Sequence, residues 1–187
     1  MRRLTVFERS IRTVIAALSM VKKENGYNHD VNEVIRYGGK RRTVGSGTTE
    51  VWLVTGRSVP VSDRPKSTHN VMDEQVPFSI GVFSPCLDQN DYEATATLLI
   101  GDVQYALGAI PGVTDDPDMP KRVALVDPLA PASPVREVLM RYQQADIMQS
   151  LLAGEAAVRL DYQMQFRRKR DNPFLWDDQD EYAWVEA

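Results

Sequence analysis

The residues that could do chemistry in this chain are two histidines, one cysteine and a few carboxylate and glycine clusters. A metal centre needs several His, Cys or carboxylate donors converging on one point. His29 and His69 are far apart and each sits in a polar turn, so His29-Asp30 is a ligand pair without a second pair. A structural or solvated role is expected for it. Asp115-Asp116-Pro117-Asp118 has the acid density of a calcium loop, but the sixth position is not glycine and no bidentate glutamate closes it. Nucleophilic catalysis needs Ser or Cys beside a base held by a third group. Cys86 has no histidine near it in sequence, and no G-x-S-x-G occurs. Gly38-Gly39-Lys40 and Gly45-Ser46-Gly47-Thr48-Thr49 are glycine-rich, as phosphate cradles are. Neither matches the P-loop pattern or leads from a strand into a helix. No catalytic, cofactor-binding or metal-binding residue is assigned, and the expectation is a protein that is not an enzyme.

What remains is charge and aromatic surface. Residues 1–42 hold ten Lys/Arg against four acids, and Arg167, Arg168, Lys169 and Arg170 follow one another near the end. Residues 171–187 hold six acids and no base, together with Phe174, Trp176, Tyr182 and Trp184. Disordered tails are usually poor in aromatics. This segment therefore reads as an acidic arm that docks on a neighbouring subunit or partner. Lys40, Arg41 and Arg42, the 167–170 cluster and the four arm aromatics are the candidate interface residues. The net charge of −4 counts against a nucleic-acid-binding module, which usually carries a basic domain or stripe. Segregated charge suits contacts between copies or with a partner.

The elements that must position these residues follow from periodicity. Leu4, Phe7, Ile11, Val14, Ile15, Leu18 and Val21 recur at spacings of three and four, which predicts an amphipathic helix over 4–24 that Gly26 ends. Val31–Tyr37 reads as a short strand. Gly38–Thr49 reads as a mobile hairpin tip or loop, Glu50–Val61 as one or two strands, and 62–74 as another loop. Val76, Phe78, Ile80 and Val82 alternate, with Pro77 expected near the strand start or on an edge. Tyr92–Val103 alternates too and reads as the second strand of a hairpin with 76–83. Six prolines between 108 and 134 predict a long excursion, with one short strand at Arg122–Val126. Ser133 and Pro134 then start a helix running to Leu152, which Gly154 ends. Ala156, Val158, Leu160, Tyr162, Met164 and Phe166 form one face of a closing strand.

These elements predict an α+β fold. It is a mainly antiparallel sheet of four or more strands with two helices, 4–24 and 134–153, packed on one face. Residues 1–170 form a single domain with long loops at 38–75 and 104–133, and 171–187 form the arm. Phe7, Ile11, Leu18, Val158, Leu160 and Tyr162 are expected in the core. No apolar run reaches the length of a membrane span, and no secretory leader is expected. One cysteine fits a reducing compartment.

The order helix, Gly26-Tyr27-x-x-Asp30-Val31-x-x-Val34, hairpin, second helix and closing strand ending in Asn172-Pro173-Phe174 resembles bacteriophage tail terminator (tail-completion) proteins. The likeness is carried by the stripe Phe7-Ile11-Ile15-Leu18, the 26–34 turn, Tyr92–Val103, Pro134–Leu152 and Val158–Phe174. It implies a homo-oligomeric ring, usually a hexamer, that caps the tail tube and ends its polymerisation. Such a ring joins the tail to the head connector or neck, and genomic DNA passes through its lumen without sequence-specific binding. It implies no active site, no cofactor, assembly in the host cytoplasm and a place at the tail–neck junction of the virion. Another neck or head–tail joining protein, and a nucleic-acid-binding module using the basic clusters, remain open.

Overall fold

The computed structural model describes residues 2–3, 5–37, 47–61, 71–108, 139–148, 154–169, 171 and 184–185. In chain order the elements are β1 (Arg2–Arg3), α1 (Val6–Ser19), β2 (Val31–Arg36), β3 (Thr49–Thr55), β4 (Val59–Pro60), β5 (Val71–Pro85), α2 (Tyr92–Gly108), β6 (Leu139–Met148), β7 (Glu155–Lys169) and β8 (Trp184–Val185). The expected strand at 122–126 lies outside the described residues.

The fold is α+β. A six-stranded sheet runs in the order β2-β3-β5-β7-β6, with β4 also beside β5. Its pairs are antiparallel except β2 with β3. The long central strands β5 and β7 pair from Val71↔Lys169 to Pro85↔Glu155. Val76, Phe78, Ile80 and Val82 of β5 lie opposite Met164, Tyr162, Leu160 and Val158 of β7, and all are buried. Side chains alternate along a strand, so these residues share one face. Ile11, Val14 and Leu18 of α1 and Ala96, Leu99, Val103 and Leu107 of α2 complete the same core. Each such Leu or Ile contributes about 1.5–3 kcal/mol through its burial. Of the expected core residues, Phe7 is only half-buried and packs its ring 6.1 Å from that of Phe166.

α1 begins where Thr5 caps it, its hydroxyl accepting from the Glu8 N–H at 3.1 Å. It is shorter than the stripe implied. Ser19 is its last residue, and a single 3-10 turn, Lys23–Asn25, ends on Gly26 at φ 89°. That left-handed conformation is the one the terminating glycine was expected to supply.

Four expectations are corrected. Tyr92–Val103 is not a strand but most of α2, which extends to Gly108 and so takes the start of the expected 104–133 loop. Tyr92, Ala94, Ala96, Leu98 and Ile100 do alternate, yet the buried set is Ala96, Leu99, Val103, Ala106 and Leu107, at helical spacing. Ala and Leu also favour a helix over a strand. The 134–153 helix is replaced, where described, by strand β6. A bulge there leaves Gln143 unpaired between Tyr142↔Tyr162 and Gln144↔Asp161. One inserted residue changes the inward spacing from two to three and imitates a helical stripe. Thirdly, β2 and β3 pair in parallel and so are not the two arms of a hairpin, while residues 38–46 between them lie outside the described residues. The 38–75 stretch also holds β3, β4 and the first residues of β5. Finally, Pro77 lies inside central β5, not at its start or on an edge. Gly56 N–H donates to Pro77 O at 2.7 Å, so the missing Pro77 N–H points at the same place, where the β3 ladder ends.

Among the described residues one buried hydroxyl has no partner. The Tyr162 hydroxyl is buried without a hydrogen bond, between the stacked Phe78 ring and the edge of Tyr142. Burial, and then Tyr142 beside it, push its pKa above the ordinary tyrosine value. Tyr162→Phe is therefore expected to raise stability, by about 1 kcal/mol, since an unsatisfied buried donor is removed while the ring packing is kept. Urea denaturation checks this. A clear loss of stability in Tyr162→Phe would show that the hydroxyl has a partner in solution.

Candidate interaction surface

Both helices occupy one side of the sheet, so the alternate residues of β5 and β7 face away from them. Asp161 is the centre of this outer face. It accepts from Ser79 Oγ at 2.5 Å, Gln144 Nε2 at 2.9 Å and Arg159 Nε at 3.0 Å. Partial burial pushes its pKa up, but these donors outweigh it and hold the carboxyl below the ordinary range. Beside it, Gln163 donates to Gln75 at 3.1 Å across the strands. A depression of about 420 Å³ opens here, lined by Val54, Gly56, Pro77, Ser79, Asp161 and Gln163 among others. Its shape follows from Pro77, which stops the β3 ladder. Gly56 closes against the proline so tightly that a Cβ there would lie 2.8 Å from Pro77 Cγ.

On the other side of the molecule the 26–31 turn is held by a residue that sequence reading had placed in a strand. Asp102 of α2 is 3% exposed. Its Oδ1 accepts from Asn28 N at 3.0 Å and Asn28 Nδ2 at 2.8 Å, and its Oδ2 from His29 N at 3.0 Å. His29 Nδ1 lies 2.8 Å from the same Oδ2. Burial disfavours the charged carboxylate, but the hydrogen bonds from His29 and Asn28 prevail and its pKa is lowered. His29 thus serves structure. Lys23 N donates to Asp30 Oδ1 at 2.8 Å, which closes the base of the turn. Nothing local in the sequence links residues 28 and 102.

A second ionic cluster ties α1 to β2. Glu8 accepts from Arg12 Nε at 3.2 Å and Arg36 Nη1 at 2.6 Å. Burial raises the Glu8 pKa, and the two guanidinium groups more than reverse this.

Most of the expected interface residues fall beyond the described ones. Lys40, Arg41, Arg42, Arg170, Phe174, Trp176 and Tyr182 lie outside the described residues. Arg167, Arg168 and Lys169 are in β7, opposite Asp73, Met72 and Val71. Of these, only the Arg168 side chain is described. Arg168 goes to the helix side and ion-pairs with Glu74, Nη2 to Oε1 at 2.6 Å, while Ser58 donates to the other Glu74 oxygen at 2.8 Å. That arginine belongs to the fold. Trp184, near the end of the acidic arm, pairs with Arg3, and Val185 with Arg2, in a separate two-stranded antiparallel sheet.

Among the described residues no group of three or more His, Cys, Asp or Glu converges as a metal site would, and no helix is long and apolar enough to cross a membrane. Arg159, which lines the depression, and Arg141, opposite Gln163 in register, are exposed and were not singled out from sequence. Their common signal, one side of a sheet, is visible only once strand register is known. No protein-family model matches the chain, and comparison with curated proteins finds no significant match.

Proposed function

We propose that this chain is a structural protein of a bacteriophage tail. Copies form a closed ring that caps the tail tube, ends its polymerisation and joins it to the head connector, with DNA passing through the lumen. The observation that carries this reading is the one-sided layering of the sheet. Both helices cover one face, while the other presents an ordered polar network and a depression to solvent. An antiparallel sheet face left open in this way is either solvated or covered by another chain, and the ring reading takes the second. The helix, the 26–34 turn and the alternating closing strand that suggested the family are present. Two segments that carried the likeness take other forms, Tyr92–Val103 as a helix and 139–148 as a strand. The strand before the helix is β5, the helix is 92–108, and 139–148 pairs with 155–169.

The test is self-assembly of the full chain at concentrations up to the millimolar range. It would be followed by light scattering, sedimentation and negative-stain electron microscopy. Six copies of the 21.1-kDa chain make a particle of about 127 kDa with a central opening. Duplex DNA is titrated in parallel at low and high salt. A chain that does not self-associate, yet binds DNA tightly and with steep salt dependence, would overturn the ring in favour of a nucleic-acid-binding module.

A further inference from the structure

We propose that β6 is a self-complementary edge, and that two copies of this chain join there into one continuous sheet. The inference goes beyond the ring reading and does not rest on it. A ring contact is heterologous, whereas this contact is isologous and closes on two copies.

β6 ends the sheet, and among the described residues no strand lies on its outer side. An open edge is a template for another strand. The opposite edge is partly closed. At the start of β2, Val31 N donates to Val21 O at 2.9 Å and Lys22 Nζ donates to Val31 O, and at its end Glu8 holds Arg36. β6 instead exposes two large apolar side chains, Tyr142 at 47% and Ile147 at 43%.

The bulge at Gln143 makes the strand read alike from both ends. Met140, Tyr142, Ala145 and Ile147 lie opposite Met164, Tyr162, Leu160 and Val158, so they face the helices. Arg141, Gln144 and Asp146 lie opposite Gln163, Asp161 and Arg159, on the outer face. Outward from the bulge the order is Tyr142, Arg141, Met140 one way and Ala145, Asp146, Ile147 the other. An antiparallel copy related by a two-fold axis through the bulge sets Tyr142 against Ala145, Arg141 against Asp146 and Met140 against Ile147. Each pair then shares a face. Without the inserted residue the same pairs would bring opposite faces together.

Charge argues for a second copy as the partner. Arg141 and Asp146 are exposed, and neither has an ion partner among the described residues. Arg159 and Asp161 are bonded to each other at 3.0 Å, so the four charges at this end of the face cancel and the match is one of position. Each Asp146 comes to lie between Arg159 of its own chain and Arg141 of the other. Opposite charges facing one another across strands stabilise the pairing, and like charges oppose it. A second copy carries the complementary order by symmetry.

The experiment uses the full chain, R141D, D146R and the double variant R141D/D146R, each change falling on an exposed side chain. Sedimentation over a concentration series to the millimolar range follows mass, and circular dichroism follows folding. The wild type is expected to form dimers of about 42 kDa. Each single reversal sets like charges opposite one another twice, so its dimer should be weaker by ~tenfold or more. The double variant, and an equimolar mixture of the two single variants, both restore two opposite pairs and should dimerise as the wild type does. Arg141→Gln and Asp146→Asn serve if a reversed charge costs a variant its folded signal. Each alone loses both pairs, and their mixture keeps one. A wild type that stays monomeric overturns the proposal, the bulge and charges then being guards of the edge. Self-association that the single reversals leave unchanged, or that the mixture does not restore, also overturns it. Six-membered rings indifferent to these charges overturn the shared edge and leave the ring reading standing.

Discussion

Replacing Leu160 with alanine is expected to lower stability by about 2–5 kcal/mol, the range for truncating a fully buried leucine. Leu160 is 0% exposed and sits in β7, with Ile80 of β5 on one side and Ala145 of β6 on the other. Strands on both sides limit how far the surroundings can collapse into the space left behind. The upper half of the range is therefore expected. Ile11→Ala, from the 0% exposed stripe of α1, tests the same core from the helix layer and should fall lower, because a helix can shift toward the sheet. Urea denaturation of both variants measures this. Neutral results at both sites would contradict the layering of helices on the β5–β7 face.

Asp102→Ala is expected to cost about 3 kcal/mol by a different mechanism. The carboxylate is the acceptor for two backbone N–H groups, the Asn28 side chain and the His29 ring. Its removal strands those donors in a partly buried turn and releases the turn from α2. Asp102→Asn should cost less, since it retains one acceptor oxygen. Hydrogen exchange should quicken at the Asn28 and His29 amides more than in β7. The pH dependence has a definite sign. The folded-state pKa of Asp102 is lowered, so the folded state favours the charged form. Its contribution is then fully present above the ordinary aspartate value of about 3.9 and is lost as pH falls through the lower folded value. The stability gap between wild type and Asp102→Asn should accordingly be constant near neutral pH and narrow below about pH 4. A gap independent of pH down to acid unfolding would show that charge plays no part.

The α+β class, α1 and β7 were legible in the sequence, and for one reason. Each has a single uninterrupted period matching one buried face. The α1 stripe repeats at three and four, and β7 alternates without a bulge from Ala156 to Phe166. Where two periods coexist, as in Tyr92–Val103, the sequence admits both a strand and a helix. Burial of Leu99 and Val103 against β7 selects the helix. Where a bulge intervenes, as at Gln143, the period itself misleads, because the extra residue exists only in relation to a partner strand.

The candidate surface was less legible than the fold. A charge run such as 167–170 looks like one patch along the chain, but Glu74 claims Arg168 for the fold. Asp102 is a polar residue in an apolar stretch, and its partners lie more than seventy positions away. The outer-face depression needs Gly56, Pro77 and Asp161 side by side, which only the register of three strands brings about. Local pattern thus determined which segments have one apolar face. Strand pairing, register and the choice of ionic partner were decided by the tertiary structure, because each depends on residues distant in sequence whose approach no local period encodes.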